Sequence, residues 1–292
     1  MSFEESYDQP LASTIAVGDS GSSLPAKART DLVAIVISED LDAPSMFTME
    51  FNNWDGAEAK PPWSDDTTTF IPGQKIKISL GYVTEETAVL EGEITSIEPI
   101  FRPTPSTVVV RGYDLRHRLL RGRKTLSFTN MKDSAIAQKV AQAAAIEVKA
   151  ADSTVTHEYV LQHNQTDFDF LQDRARRIGF ELFMIGKTLQ FRPRPISAKE
   201  TMTLKLGRDL IEFTPRLTTM TQVSEVTVQG WDVKKKEAIL GTAAAGQETA
   251  TMGKTVGAKT ANGSFGKSTQ VYVNQPIATQ AEADQIAAGK FN

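Results

Sequence analysis

Three tripeptides made of Gly, Lys and Ser or Thr are the segments of this sequence that could belong to a nucleotide site. They are Gly186-Lys187-Thr188, Gly253-Lys254-Thr255 and Gly266-Lys267-Ser268. A loop that surrounds phosphate groups with backbone N–H donors needs another glycine five positions before the second glycine of the motif. The residues found at that position are Glu181, Glu248 and Ala261. The tripeptides are therefore predicted to be turns and loops, and no cofactor is expected.

Residues that bind metals or cleave bonds are few, or lack a diagnostic spacing. The three histidines, His117, His157 and His163, include no pair at the i, i+4 spacing that places two ligands on one helix face. The absence of cysteine excludes disulfides, thiolate metal sites and cysteine nucleophiles. Carboxylates are plentiful, but a catalytic pair is defined by its separation in space. We therefore expect no metal and no catalytic residue.

The most informative feature is a repeated segment. Residues 108–114, VVVRGYD, recur as residues 226–232, VTVQGWD, at a constant offset of 118 positions. Two copies so far apart are too few for a solenoid, and they predict one small β domain present twice. The candidate assembly residues are the ends of the copies with the basic residues that follow: Gly112, Tyr113, Asp114, Arg116 and Arg118, and Gly230, Trp231, Asp232, Lys234 and Lys235.

A glycine occupies the same place in both copies. Glycine inside a strand commonly marks a bulge or a close backbone approach. Gly112 and Gly230 are therefore predicted to hold equivalent backbone positions, and replacing either by Val is expected to impair folding or assembly.

A basic segment begins in the first copy. It contains one acid, Asp114, and six basic residues: Arg111, Arg116, Arg118, Arg121, Arg123 and Lys124. Such runs are most often solvated faces. Because basic residues follow both copies, a face toward acidic subunits is a second interpretation, and polyanion binding is a third.

Length and composition are those of a globular protein. The chain has 292 residues, enough for two domains, with 40% hydrophobic and 23% charged residues. A net charge of −4 argues against a dedicated nucleic-acid binder. The acidic N-terminus lacks the apolar region of a secretory signal, and no apolar run is long enough to span a membrane. The protein is expected to be made and assembled in the cytosol.

Element signals divide the chain into four parts. Residues 1–30 are rich in Ser, Gly, Asp and Ala without a sustained period, which predicts an N-terminal arm that is extended or flexible. Residues 31–124 carry short runs of β-branched and aromatic residues, and they predict a first β-barrel or sandwich. The strands are expected at residues 32–38, 47–53, 75–82, 88–97 and 107–113.

Residues 125–196 predict a helical insertion with a hairpin. Asn130 is expected to cap a helix that runs through Ala145. Thr166 and Asp169 resemble a capping box for a second helix that Gly179 ends. A hairpin is expected at residues 180–185 and 188–192.

Residues 197–292 predict the second β-barrel. They include a flexible loop at 242–269, a strand at 270–274 and an incomplete C-terminal helix that starts at a capping box, Thr279 with Glu282. The predicted fold class is mainly β with an α+β insertion, with two similar small β-barrels that form part of a tube.

Several of these segments together resemble a known family. They are the two strand copies, the helix segment SAIAQKV at 134–140, NQTDFDFL at 164–171 and IGFE at 178–181. They are similar to the tail-hub family of contractile injection machines, which includes phage late control D proteins, the myophage baseplate hub and the VgrG spike of type VI secretion. The segment APSMF at 43–47 is similar to versions in phage-derived extracellular injection particles. The resemblance covers approximately residues 31–292.

The resemblance implies a trimer in which each protomer contributes two similar β-barrels, so that three subunits present six barrels to a six-fold tube. It implies a structural hub at the tube tip that adapts the tube to a three-fold spike, without catalysis. The implied partners are the hexameric tail tube protein, the spike tip and baseplate proteins, with no nucleic acid. The implied location is the cytoplasm of the producing cell and then the assembled particle.

Two other classes of function stay open at this point. One is a cell-wall-degrading tail component, since some hub assemblies carry a lysozyme-like domain. The other is a carbohydrate-binding β module.

Overall fold

The computed structural model of the chain describes residues 11–64, 68–82, 85–103, 105–194, 202–208, 210–214, 218, 222–247, 257–273 and 276–291. The strands are β1 Leu11–Val17, β2 Ser22–Ser23, β3 Leu32–Ser38, β4 Met46–Asn52, β5 Lys75–Tyr82, β6 Glu85–Ile100, β7 Thr107–Asp114, β8 Lys124–Lys132, β9 Glu147–Ala150, β10 Thr156–Gln165, β11 Phe180–Ile185, β12 Thr188–Pro193, β13 Glu225–Asp232, β14 Glu237–Ala244 and β15 Thr269–Tyr272. The helices are α1 Ala26–Asp31, α2 Asp133–Ala143, α3 Asp167–Arg177, α4 Gly257–Phe265 and α5 Gln280–Phe291, with a 3₁₀ helix at Leu115–Leu120.

The first β unit is one antiparallel sheet of seven strands in the order β2-β1-β5-β6-β7-β4-β3. Strand β4 alternates buried and half-buried positions, so that Phe47, Met49 and Phe51 enter a single core with Ile76 and Ile78 of β5. Side chains that alternate across a strand produce this pattern wherever one face of the sheet is buried. The five strands predicted in this part are all present, two of them with the predicted bounds.

The prediction of an N-terminal arm as a tail is wrong for residues 11–30. Strand β1 pairs along its whole length with β5, and Ile15 and Val17 lie in the core of the first sheet. Helix α1 follows and buries Ala28 in the same core. The small polar residues between the apolar ones hid the two-residue period. Residues 1–10 lie outside the described part of the chain.

The insertion packs two helices between short sheets. Strand β8 pairs with β10, and β12 lies between β11 and β9. The capping box at the start of α3 is confirmed in part: the Asp169 backbone N donates to Thr166 Oγ1 over 3.0 Å. Gly179, with a φ of 70°, follows the helix as predicted, and the hairpin of β11 and β12 is present.

The start predicted for α2 at Asn130 is wrong. Asn130 belongs to β8, with a φ of 53°, and the helix begins at Asp133. The backbone of residues 131 and 132 pairs with His157 and Thr156 of β10, which holds it extended. The tertiary pairing therefore delays the helix that the capping pattern favoured.

The second β unit is a sheet of three strands, β14-β13-β15, covered on one face by α5. The capping box before α5 is confirmed in part, since the Glu282 backbone N donates to Thr279 Oγ1 over 3.2 Å. The prediction of a flexible loop at 242–269 is wrong at both ends, because β14 runs to Ala244 and α4 occupies Gly257–Phe265. The strand expected at 270–274 is β15, Thr269–Tyr272; residue 274 and residues 248–256 lie outside the described part.

The chain is mainly β, as predicted. In the described residues each of its sheets is open: the first has edge strands β2 and β3, and the second has edge strands β14 and β15. Residues 202–214, in the part expected to open the second barrel, contribute one isolated bridge between Leu206 and Leu210 to the described structure. The described sheets of the single chain therefore do not close into the two predicted barrels, and the two-barrel arrangement stays a prediction.

Candidate assembly site at the two strand ends

The two copies of the repeated segment form matching strands. Strand β7 spans Thr107–Asp114 and β13 spans Glu225–Asp232, so both ends obey the same offset of 118 positions. Val108 and Val110 are buried in the first copy, and Val226 and Val228 are buried in the second. The sequence repeat is therefore a repeat of local structure and of the face that is buried.

The two glycines are used in the same way, for close approach. A Cβ atom on Gly112 would lie 2.0 Å from the Glu93 carbonyl oxygen and 2.5 Å from the Phe47 ring. A Cβ atom on Gly230 would lie 2.8 Å from Cβ of Ile277. Gly112 thus leaves room for the neighbouring strands β6 and β4 of its own sheet, whereas Gly230 leaves room for Ile277, in the segment before α5. The two glycines hold equivalent positions along their strands, but their close neighbours differ.

Each strand ends in the same turn, made by its aspartate. The Arg116 backbone N donates to Asp114 Oδ1 over 2.8 Å, and the Lys234 backbone N donates to Asp232 Oδ1 over 2.9 Å. An aspartate that binds the backbone two residues ahead forms a local turn without help from the rest of the fold. The repeat therefore includes this local hydrogen bond, although the 3₁₀ helix at Leu115–Leu120 follows Asp114, whereas the chain after Asp232 returns beside β13 as β14.

The basic residue after the turn has opposite surroundings in the two copies. Arg116 is 1% exposed and its Nη2 lies 2.8 Å from Asp114 Oδ2. The guanidinium also donates to three carbonyl oxygens and one hydroxyl, which belong to Asp40 (2.8 Å), Leu182 (3.4 Å), Leu41 (3.3 Å) and Ser45 (3.2 Å). Arg116 thus joins the first sheet, the loop after β3 and the insertion from inside the protomer.

Arg118 forms a second link between the first sheet and the insertion. Its Nε donates to Glu93 Oε2 over 3.0 Å, and its Nη1 donates to the carbonyl oxygen of Ala145 over 2.9 Å, beyond the end of α2. The hydrogen bond to Glu93 raises the pKa of Arg118 above its usual range, against the opposing effect of burial. A cation beside the last carbonyls of a helix is also favoured by the helix dipole.

Most of the basic segment is occupied inside the chain in the same way. Arg111 pairs with Glu98, Arg123 donates to the Asn164 carbonyl oxygen, and Lys124 pairs with Asp167. The segment is therefore chiefly a set of intramolecular links. Of the candidate assembly residues, Asp114 and Arg116 are buried within the protomer.

The end of the second copy is exposed. Trp231 is 56% exposed, whereas its counterpart Tyr113 is half-buried. Lys234 lies 2.7 Å from Glu158 of β10, with both side chains more than 70% exposed, and Lys235 lies 3.5 Å from Glu237. The backbone N–H of Lys235, and then that of Lys234, lowers the pKa of Asp232.

The outer faces of the two sheets differ in chemistry. In the second sheet, the face opposite α5 presents Trp231, Leu240 and Val271, which are 56%, 50% and 50% exposed. In the first sheet, the corresponding face of β7 carries Arg111, which pairs with Glu98 of β6. The second sheet thus exposes three large apolar side chains on this face, which is here called the open apolar face and is defined by Trp231, Leu240 and Val271.

Sequence reasoning found the strand ends but missed their partners. Glu93, Glu98 and Glu158 lie far from the repeat in sequence, and no local pattern marked them. Within the described ranges, no three His, Asp or Glu side chains are grouped as metal ligands. None of the described helices is both long and apolar enough to cross a membrane.

Comparisons with known proteins agree with this architecture. The sequence family described as the Alg8 N-terminal domain matches residues 10–291. No curated protein matches the chain in sequence. Among solved structures, the chain is similar to a 43 kDa tail protein of prophage MuSo2 from Shewanella oneidensis, with 17% identity, a TM-score of 0.60, and coverage of 94% of this chain and 76% of that one.

Two further structures share the fold. A tail protein from Neisseria meningitidis MC58 has 14% identity and a TM-score of 0.59, over 94% of this chain and 75% of that one. A chain of a PdpA-VgrG complex has 11% identity and a TM-score of 0.50, over 92% of this chain and half of that one. The architecture described above is therefore that of phage tail proteins, and the chain belongs to the Alg8 N-terminal domain family.

Proposed function

We propose that the protein is a structural hub at the tip of a contractile, phage-tail-like injection tube. In this proposal it forms a homotrimer, contacts the hexameric tail tube protein on one side, and carries the spike tip on the other. Baseplate proteins surround it. The fold shared with phage tail proteins supports a place in a tail, and the likeness to a chain of a PdpA-VgrG complex supports a spike as neighbour.

The duplicated strand supports the symmetry of this proposal. A three-fold object that docks onto a six-fold one must present six similar contacts, and two β units in each of three protomers supply that number. In the proposed trimer the first sheet and the second sheet each become one barrel of a pseudo-six-fold ring. Strands β7 and β13 then occupy equivalent positions in that ring, in agreement with the constant offset between their first and last residues.

The open apolar face of the second sheet is the observation that carries the proposal. Its members Trp231, Leu240 and Val271 are at least half exposed in the protomer. Large apolar side chains that are exposed on one face of a sheet mark a candidate site of protein contact. Trp is also enriched among the residues that dominate binding energy at interfaces. We assign this face to contact with the neighbouring protomer of the trimer.

We further propose that the protein has no catalytic activity and needs no cofactor. It would be made in the cytoplasm of the producing cell and then built into the particle. Loss of turbidity when the purified protein is added to peptidoglycan would contradict this part, and would favour a cell-wall-degrading tail component.

The mass of the purified protein in solution, with images of the assembly, tests the hub. The wild-type chain is expected as a ring-shaped trimer. Trp231→Glu combined with Leu240→Glu places two charges on the open apolar face, and monomers with unchanged thermal unfolding are expected. Leu161→Glu is the control, because Leu161 is a similarly exposed leucine, at 45%, on the insertion. The proposal would be overturned if the purified wild-type protein were a monomer and no trimer were seen in images of the assembly. It would also be overturned if the double variant still formed trimers.

A further inference from the structure

A buried charged cluster joins the insertion to the C-terminal helix. Four elements contribute one side chain or two: His157 from β10, Asp133 from α2, Arg174 and Arg177 from α3, and Glu282 from α5. Each of the five side chains is 13% exposed or less. Charges so far from water are retained only where they are paired, so their arrangement indicates a specific joint.

The imidazole of His157 stands between two carboxylates from different elements. Its Nε2 lies 3.2 Å from Asp133 Oδ2, and its Nδ1 lies 3.5 Å from Glu282 Oε1. Arg174 is the third neighbour, with its Nη2 2.9 Å from His157 Nε2 and its Nε 2.5 Å from Asp133 Oδ1. The ring therefore faces one acid of the insertion and one acid of α5.

Helix α5 depends on this joint for its position. Arg177 Nη2 donates to Glu282 Oε1 over 2.8 Å and to the Pro276 carbonyl oxygen over 2.6 Å. Farther along, a Cβ atom on Gly289 would lie only 2.5 Å from the Gly179 backbone N, so the helix and the end of α3 touch backbone to backbone. The opposite side of α5 covers the second sheet with Ile286 and Ala287, both 0% exposed. Movement of α5 therefore moves the cover of the second sheet.

We propose that His157 is a proton-controlled latch that fastens α5, and the second sheet beneath it, to the insertion. A neutral imidazole has one N–H donor and one acceptor, so Nε2 accepts from Arg174 Nη2 while Nδ1 donates to Glu282, and Asp133 receives no bond from the ring. The protonated ring has two donors, so the bond from Arg174 to Nε2 is lost and the ring binds Asp133 and Glu282 together. The proton thus gives a positive charge to the ring's contact that crosses from the insertion to α5.

The electrostatic surroundings give the direction of the switch. Burial lowers the pKa of His157, but the hydrogen bonds with Asp133 and Glu282 outweigh burial and the charge of Arg174, and the pKa is raised above 6.5. Burial opposes ionisation of the two acids as well. Even so, the hydrogen bonds with His157 and the charges of Arg174 and Arg177 hold the pKa of Asp133 below 3.8 and that of Glu282 below 4.5.

The sign of the pH dependence follows from these shifts. The contribution of His157 is fully present below its unfolded pKa, near 6.5, and is lost as the pH rises through its higher folded pKa. The contribution of the acids is present above their unfolded values and is lost as the pH falls through their lowered folded values. The latch is therefore tightest in mildly acidic solution and loosens toward alkaline pH.

A histidine NMR titration of the full chain tests the electrostatic half of the proposal. The chain has three histidines, so His117→Gln and His163→Gln assign the remaining imidazole signal to His157. We expect His157 to titrate above its ordinary value, and Glu282→Gln to lower its pKa by about one unit or more. Glu158→Gln is the matched control, since Glu158 is a neighbouring but exposed acid, and no shift is expected. A His157 pKa at or below its ordinary value, or one that ignores Glu282→Gln, would overturn the proposal.

A thiol probe tests the mechanical half. Because the chain has no cysteine, Ser153→Cys places a single buried thiol on the insertion, at the residue whose carbonyl oxygen accepts from Gln285 of α5 over 2.8 Å. Its labelling rate is divided by that of the exposed Ser127→Cys variant, which removes the effect of pH on thiolate formation. The ratio then reports how often α5 separates from the insertion. For each unit by which the pKa of His157 is raised, about a tenfold rise in this ratio is expected between mildly acidic and alkaline pH. His157→Gln should remove the rise and His163→Gln should keep it; a rise that survives His157→Gln contradicts the latch.

Discussion

Strands β7 and β13 are two copies of one segment in different surroundings. In the first copy the buried face of the strand, with Val108 and Val110, enters the core made by its own seven-stranded sheet. In the second copy the matching residues Val226 and Val228 are covered by helix α5. The strand sequence therefore specifies which valines are buried and the hydrogen bond that the aspartate makes at the strand end, while other elements determine what covers those valines and where the chain goes next.

The residues after the turn diverge even more. Arg116 is enclosed by carbonyl groups of the loop after β3 and of the insertion, whereas Lys234, at the corresponding position, meets one exposed glutamate. The basic residues after the first copy thus form hydrogen bonds and ion pairs within the protomer. The second copy leaves its end, including Trp231, free for contact with another chain, as the proposed hub requires.

The largest expected difference between the copies concerns these basic residues. Arg116→Met leaves Asp114 as a buried carboxylate without its cation, and removal of one partner of a buried pair destabilises a protein by about 3–5 kcal/mol. Lys234→Met removes an exposed pair, and no measurable change is expected. Denaturant unfolding followed by circular dichroism measures both. Equal midpoints for the two variants would break the comparison.

The glycines are expected to differ by a smaller amount. Gly112→Ala drives a Cβ atom to 2.0 Å from a backbone oxygen, which cannot move without the strand, whereas Gly230→Ala meets the side chain of Ile277 at 2.8 Å. Overpacking of this kind lowers the free energy of unfolding by about 1–3 kcal/mol. We expect the loss for Gly112→Ala to lie at or above the upper end of this range, and the loss for Gly230→Ala to lie near its lower end. Gly56→Ala is the control, since a Cβ atom there meets nothing within 4 Å. Thermal unfolding ranks the three, and the reverse order would show that Ile277 yields less to an added methyl group than the backbone of β6 does.

The dependence of the second copy on α5 gives a third prediction. Thr279→Ala removes the acceptor of the Glu282 backbone N at the start of α5, and loss of such a cap costs about 1 kcal/mol. Amide exchange is expected to quicken in β13 and stay unchanged in β7. Thr242→Ala, an exposed threonine on the opposite side of the second sheet, should leave both strands protected. Faster exchange in β7 would mean that the two units do not have separate covers.

The smallest effect is expected at the turn of the second copy. The backbone N–H groups of Lys235 and Lys234 favour the ionised form of Asp232 and lower its pKa. The contribution of the carboxylate to the turn is therefore present at neutral pH and is lost as the pH falls through its lowered folded pKa. NMR titration of the carboxyl carbon should place this pKa below 3.8. Asp232→Asn should preserve the amide shifts of residues 234 and 235, and Asp232→Ala should change them.

Most local elements could be predicted because their causes are local. The alternation of β5, the capping threonines at 166 and 279 and the hairpin at 186 and 187 depend on residues a few positions apart. The misses have a common cause in long-range pairing. Strand β1 is stabilised by β5, some sixty residues away, and the start of α2 is delayed by pairing with β10.

The sequence by itself determined the repeat, the strand at residues 107–113 to within one residue, and the matching places of the two glycines, since each requires only neighbouring residues and the period of a strand. Only the tertiary structure decided that Arg116 is buried, that His157 lies between Asp133 and Glu282, and that the second sheet is covered by a helix and open on its other face. These features join residues that are as many as 125 positions apart, as from His157 to Glu282. A single sequence carries no signal for such contacts, because burial and pairing of charges depend on which surfaces meet and how completely they exclude water.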